Sequence, residues 1–330
     1  MTSLKAYLLR KNRKGVIGAI EEINTEQLPE GEVNISVRYS SLNYKDGLIL
    51  NGLGNLVKRY PHVPGIDFVG TVIDSKHSDF TPGDWVIGTG FRVGETRWGG
   101  YSQQVAANAD ELVHLPKSIS PFYAMGLGAA GLTAAIALEA LEKQGLTPDA
   151  GEVLITGGCG GVGTFSILLF AAQGYHVVAS TGRMEYRDRL INLGAKEVIQ
   201  RSALNKAPQR PLESARWAGC VDTVGGMTLA NVLSSMHYGS SIASVGLADS
   251  SELTTSVIPF LLRSVNLIGI DSVFYPIKKR PRLWDQLGNL INQHCIRGLL
   301  KEADLNQLNV LGKKILRGQI HGRVVIKITD

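Results

Sequence analysis

Two short stretches of the 330-residue chain collect the residue types that do chemistry. The first is VLITGGCGGVGT at 153–164, where Gly158, Gly160 and Gly163 satisfy G-x-G-x-x-G between an apolar run and an apolar helical segment. Glycines at this spacing allow a tight strand-to-helix turn and close approach of the backbone to a pyrophosphate. The N–H groups of Gly161, Val162 and Gly163 at a helix start then face the anion. The spacing therefore predicts a dinucleotide site. The second stretch is SLNYKDG at 41–47, which follows the alternating run VNISVRY and brings Asn43, Tyr44, Lys45 and Asp46 together. A solvated turn and the wall of an active site both fit that stretch taken alone.

The strand after the glycine loop, HVVAS, ends in Ser180-Thr181-Gly182-Arg183. An acidic residue near this position would hold a ribose 2′-hydroxyl and repel a 2′-phosphate. Hydroxyls and a guanidinium would hold the phosphate, so the expected cofactor is NADPH, with Ser180, Thr181 and Arg183 as ligands. VDTVGG and ASVGLA also end in small residues, which marks Val224, Gly225 and Leu247 as walls of the nicotinamide-ribose site. Cys159, inside the glycine loop, reads as a small residue where alanine or serine would serve.

The elements that must position these residues fall into two textures. Residues 1–120 are β-rich, with candidate strands LKAYLLR, EVNISVRYS, FVGTVIDS, DWVIGTG, YSQQVAA and ELVHLP. From Ser120-Pro121, a helix start with proline at its first position, strands and helices alternate. Their strands are short, nearly continuous apolar runs, as in a parallel sheet covered on both faces. RVVIKI at 323–328 is expected to return to the first region. The fold class is α/β, a doubly wound parallel sheet over 121–270 plus a β-rich domain formed by 1–120 and 271–330.

Composition is that of an ordinary globular protein with ample material for a core, at 44% hydrophobic and 19% charged residues. The net charge of +5 suits anionic ligands, but no basic stripe with interleaved aromatics marks a nucleic-acid site. The three cysteines lack C-x-x-C spacing and imply a reducing compartment. No signal peptide and no membrane span are expected, so the location is read as cytoplasmic. His62, His77 and His114 have no metal-site spacing.

Together with PGIDFVG, GVGETRWGGY, STGR, DTVGG, IPFLLRSVNLIGIDSV and QIHGRVVIKI, these features resemble the medium-chain dehydrogenase/reductase superfamily over essentially the whole chain. The similarity is to its zinc-free, quinone oxidoreductase-like branch and, within that, to the NADPH-dependent acrylyl-CoA reductases. The resemblance implies a Rossmann dinucleotide-binding domain and a β-rich GroES-like catalytic domain. It also implies no metal, since zinc-dependent members carry cysteine where Asn43 stands and histidine where Ile66 stands. By the same resemblance Tyr44 contacts the cofactor, Asp46 orders the turn and Asp67 lies at the floor of the cleft. Ser272 and Arg323 fall in segments matching cofactor contacts, and the last Rossmann strand pairs two subunits into a homodimer.

The expected reaction is 1,4-reduction of an α,β-unsaturated acyl thioester, acrylyl-CoA first, with the Asn43 amide, the Tyr44 hydroxyl or a cofactor ribose hydroxyl as donor to the developing enolate oxygen. Arg92, Arg97, Lys58 and Arg59 are candidates for meeting coenzyme A. Reduction of quinones or enones is the alternative, and a non-catalytic NADPH- or RNA-binding role a third possibility.

Overall fold

The computed structural model describes residues 3–206 and 208–329, with the His294 side chain left undescribed. The chain forms two compact units, one of Met1–Ala129 with Ser272–Asp330 and one of Ala130–Asp271. The first boundary falls inside the helix Pro121–Lys143 rather than at its start. That helix is interrupted at Gly128, whose φ of 50° and ψ of −152° are not helical. It is also apolar and long enough to cross a membrane, at mean hydropathy 1.6, yet 83% of its most apolar window is buried in the protein. Glycine and threonine break up this apolar run in the sequence, so it does not look like a span on inspection.

In the first unit a seven-stranded sheet runs in the order Leu300–Asp304, Arg323–Lys327, Val33–Leu42, Asp67–Ser75, Trp85–Thr89 and Leu112–His114, with Gln104–Ala107 also paired to Val33–Leu42. The C-terminal strand does return, antiparallel to Val33–Leu42, with Val324 opposite Leu42. This register carries Arg323 to the level of Asn43. On the other side Ser40 pairs with Phe68, which sets Asp67 beside Ser41. A hairpin of Ser3–Asn12 and Gly15–Asn24 packs Leu4, Leu8 and Leu9 against Leu42, Ile49 and Val324. Its second strand was not foreseen, because GVIGAIEEIN alternates between exposed and half-buried positions and buries only Ile23 fully.

The second unit is a six-stranded parallel sheet. Its order is Glu197–Gln200, His176–Thr181, Glu152–Ile155, Trp217–Asp222, Met236–Ser244 and Asn266–Gly269. In chain order this is 3-2-1-4-5-6, the dinucleotide-binding topology, with its reversal at Glu152–Ile155. The inner strands are buried, with Leu154, Val178, Cys220 and Ile242 in their core, as the continuous apolar runs predict, whereas the edge strand Asn266–Gly269 is largely exposed.

Candidate functional site

SLNYKDG is the start of a helix. Asn43 precedes the helix Tyr44–Leu50, and its backbone N–H donates to Asp46 Oδ2 at 2.9 Å, the reciprocal half of a capping box. Asp46 Oδ1 accepts the Ile66 N–H at 3.0 Å, fastening this helix start to the segment leading into the next strand. The helix then turns Tyr44 outward, 53% exposed, while Asp46 is fully buried. Lys45 is held by Glu95 at 2.8 Å.

Around the start of this helix lies a buried polar floor. Asp67 accepts from the Ser41 N–H at 3.0 Å, the Ser41 hydroxyl at 2.7 Å, the Asn43 amide at 3.1 Å and the Ala129 N–H at 3.1 Å. Arg323 donates to Gly126 O, Leu42 O, Ser41 Oγ and Asn43 Oδ1 at 3.0–3.3 Å. The break at Gly128 makes this possible. It releases the Gly126 carbonyl to Arg323 and the Ala129 N–H to Asp67, two groups that an unbroken helix would consume. A side chain at Gly128 would put its Cβ 2.6 Å from Asp67 Oδ2. Tyr101 closes the floor, donating to Ser41 O at 3.0 Å.

Two carboxylates and one guanidinium share this buried volume. Burial, reinforced by the Asp67 charge, pushes the Asp46 carboxyl up to about 7. Burial also raises Asp67, against its bonds to Ser41 and Ala129 and the nearby Arg323 charge. Burial lowers Arg323 and raises Tyr101 well above the ordinary phenol.

Three sequence expectations change here. Asn43 Nδ2 contacts Ser41 Oγ, Asp46 Oδ2 and Asp67 Oδ2, so both amide hydrogens are committed and none is left for a substrate oxygen. Arg323 is 5% exposed and braces the floor rather than offering its guanidinium to a nucleotide. Arg97 is paired with Glu111, whereas Arg92, Lys58 and Arg59 stay at the surface, Arg92 lying 5.6 Å from the Phe274 ring centroid. Ile66 is buried and apolar, and among the described residues no group of three or more His, Cys, Asp or Glu could hold a metal ion.

In the second unit the glycine loop has the geometry its spacing demands. The Gly158 N–H donates to Ser180 O at 2.9 Å and the Gly160 N–H to Gly157 O at 2.8 Å. A Cβ on Gly163 would stand 2.4 Å from Gly157 O, so only glycine lets the helix Gly161–Ala172 begin so close to the strand. Gly160 is exposed, and a Cβ there would meet nothing closer than Gly157 O at 3.2 Å, leaving room for a pyrophosphate. The loop therefore fits a dinucleotide.

At the next strand end, Thr181 Oγ1 accepts the Arg183 N–H at 3.0 Å and lies 3.2 Å from Cys159 Sγ. Arg183 is half-buried, its guanidinium 5.9 Å from the Tyr186 ring centroid. The Ser180 hydroxyl is buried and has no hydrogen-bond partner among the described residues, so it is turned inward rather than toward a phosphate at the surface. Val224 is buried, Gly225 takes a positive φ of 74° and Leu247 is exposed. Ser272, in the first unit, is half-buried, and its carbonyl accepts from Arg280.

Other groups escaped sequence reasoning. Asp222 accepts from Thr156 Oγ1 at 2.7 Å and from the Gly225 N–H at 2.8 Å, while Thr223 Oγ1 donates to Thr156 O at 2.9 Å. This latch ties the ends of two adjacent strands at the topological switch. Burial raises the Asp222 carboxyl. Its one legible signal is the carboxylate that ends the apolar strand and opens DTVGG.

Comparison with known proteins agrees with this construction. Residues 29–117 match the alcohol dehydrogenase GroES-like domain family, and residues 161–288 match the zinc-binding dehydrogenase family. The chain is 49% identical over 94% of both chains to the acrylyl-CoA reductase AcuI of Ruegeria pomeroyi. It is 41% identical over 99% of both chains to the putative quinone oxidoreductase YhfP of Bacillus subtilis. Among solved structures, the YhdH oxidoreductase from Salmonella enterica in complex with NADP superposes with a TM-score of 0.96, at 39% identity over 98% of this chain and all of that one. The chain belongs to the medium-chain dehydrogenase/reductase superfamily, in the quinone oxidoreductase-like branch that includes the acrylyl-CoA reductases.

Proposed function

We propose that this protein is an NADPH-dependent reductase of α,β-unsaturated acyl thioesters, converting acrylyl-CoA to propionyl-CoA. The observation that carries the substrate class is the 49% identity, along 94% of both chains, to a protein named acrylyl-CoA reductase. The chemistry the dinucleotide supplies when bound is a hydride for the substrate β-carbon. Gly158, Gly160, Gly161, Val162 and Gly163 would hold its pyrophosphate, and Thr181 and Arg183 its 2′-phosphate. Val224, Gly225, Leu247 and Ser272 would border its nicotinamide half.

Hydride addition would leave a thioester enolate, which needs a hydrogen-bond donor at oxygen and a proton, from water or Tyr44, at the α-carbon. With the Asn43 amide committed to carboxylates, the exposed Tyr44 hydroxyl is the side-chain donor we assign to the enolate oxygen. One aimed donor contributes roughly 10²–10³ in rate. Asp46, Asp67 and Arg323 act as positioning residues that hold Asn43 and hence the start of the Tyr44 helix. Lys58, Arg59 and Arg92 are the surface cations left to meet the phosphates of coenzyme A.

The likeness to YhfP supports quinone reduction as a second reading. Mass spectrometry of the product formed with NADPH carrying deuterium at both C4 positions tests the first: a single deuterium at the propionyl β-carbon supports it, and unlabelled or unreduced acyl-CoA refutes it. We assign a homodimer built on the edge strand Asn266–Gly269 and the exposed Val257, Leu261, Leu262 and Leu267 beside it. The three free cysteines support a reducing, cytoplasmic location.

A further inference from the structure

The loop that follows the strand Trp85–Thr89 is held in a strained shape. Phe91 and Arg92, neither of them glycine, take successive positive φ angles of 46° and 60°. Such backbone persists only where its surroundings enforce it, and it gathers at active sites and ligand clamps. Here the Phe91 N–H donates to Val273 O at 2.9 Å, and the Arg92 carbonyl accepts from the Glu95 and Thr96 N–H groups at 3.0 and 3.1 Å. The buried Arg280 guanidinium lies 4.3 Å from the Phe91 ring centroid and is itself fixed by the carbonyls of Thr89, Ser272, Val273 and Tyr275.

This scaffold presents an exposed pair. The Arg92 guanidinium lies over the Phe274 ring, 5.6 Å from its centroid, and the Phe91 ring meets Phe274 edge-on at 6.5 Å. Phe274 is 54% exposed, and Arg92 is exposed as well. Among the described residues the Arg92 side chain has no hydrogen bond and no ion pair. The loop also borders the chemistry. Thr89, at its start, pairs with Asp67 of the floor, and Glu95, at its end, holds Lys45 beside Tyr44. We propose that Phe274 and Arg92 form a platform for the adenine nucleotide end of coenzyme A and so select the carrier of the acyl group; the proposal rests on the thioester reading above. An exposed aromatic face stacks a base, and an unengaged guanidinium takes its phosphates.

The test is steady-state reduction of acrylyl-CoA and of acrylyl-pantetheine, which keeps the thioester and its arm but lacks the nucleotide. The proteins compared are wild type, Phe274→Ala, Phe274→Tyr and Arg92→Ala, with the Kd for NADPH titrated by fluorescence in each. Wild type is expected to show a kcat/KM for acrylyl-CoA about tenfold or more above that for acrylyl-pantetheine. Phe274→Ala and Arg92→Ala should each cut that ratio about fivefold or more, through KM for acrylyl-CoA rather than kcat. Phe274→Tyr, which keeps the ring, should retain the wild-type ratio. Equal losses on both thioesters would overturn the proposal and make the pair a structural support. A wild type that reduces both equally well would overturn it and leave thioester reduction standing. An NADPH affinity that falls in step with acrylyl-CoA would assign the platform to the cofactor adenine and overturn it too. A wild type that reduces neither thioester would remove the thioester reading and this inference together.

Discussion

Asp46 and Asp67 meet at one nitrogen: Asn43 Nδ2 lies 3.2 Å from Asp46 Oδ2 and 3.1 Å from Asp67 Oδ2. Two buried carboxylates this close cannot both be comfortably ionised, and the single Arg323 guanidinium leaves the cluster one negative charge in excess. One bound proton neutralises it. Asp46, raised to about 7 chiefly by burial, is the group that keeps that proton into the neutral range.

That proton has a sign in stability. Asp46 binds it more tightly folded than unfolded, so between its ordinary carboxylate value near 3.8 and about 7 the native state holds more protons. The contribution is fully present below that window and is lost as pH rises through it. Asp46→Asn should flatten the fall in stability from pH 4 to pH 7 relative to wild type, measured by urea unfolding at each pH. A variant with the wild-type slope would place the proton elsewhere.

Removing the other carboxylate is expected to cost more. Asp67 is the principal charge supporting Arg323, which has no solvent to turn to. Asp67→Ala should lose roughly 3–5 kcal/mol of unfolding free energy, as when a buried charge is left without its compensating charge. A loss under about 1 kcal/mol, the value of an exposed pair, would mean that the floor is hydrated.

Gly128→Ala tests the helix break. It places a side chain on a backbone at φ 50° and ψ −152° and drives Cβ against Asp67 Oδ2. Strain alone is expected to cost about 1–3 kcal/mol, with the clash added to it. Unchanged stability in chemical denaturation would show that the break is not required.

These two units differed in how much of them could be read beforehand. The Rossmann unit was legible because each of its signals is local: a continuous apolar strand, three glycines and a helix within a few residues. The catalytic floor was only half legible. Asn43, Asp46 and Asp67 were singled out, but the amide's commitment depends on Arg323, 280 residues away in sequence and delivered by the register of the last strand. Arg323 consequently read as a ligand contact, when long-range pairing makes it a brace. The break at Gly128 was hidden, since GLGAAGL reads as continuous small-residue helix and its distortion follows from what the neighbouring strands demand.

Tyr44 separates chemistry from structure. Its side chain is exposed and is not one of the buried donors of the floor, so Tyr44→Phe should leave thermal stability within about 0.5 kcal/mol of wild type. If its hydroxyl stabilises the enolate, kcat falls by roughly 10²–10³ with NADPH affinity little changed. A kcat within twofold of wild type would move that task to water or a cofactor hydroxyl.

The most direct measurement compares steady-state NADPH oxidation by the wild-type protein with acrylyl-CoA and with a simple quinone, in parallel and with NADH as control. The account predicts turnover with acrylyl-CoA at a kcat/KM well above that with the quinone, and faster with NADPH than with NADH. Turnover of the quinone alone would contradict it, and so would no turnover of either despite tight NADPH binding.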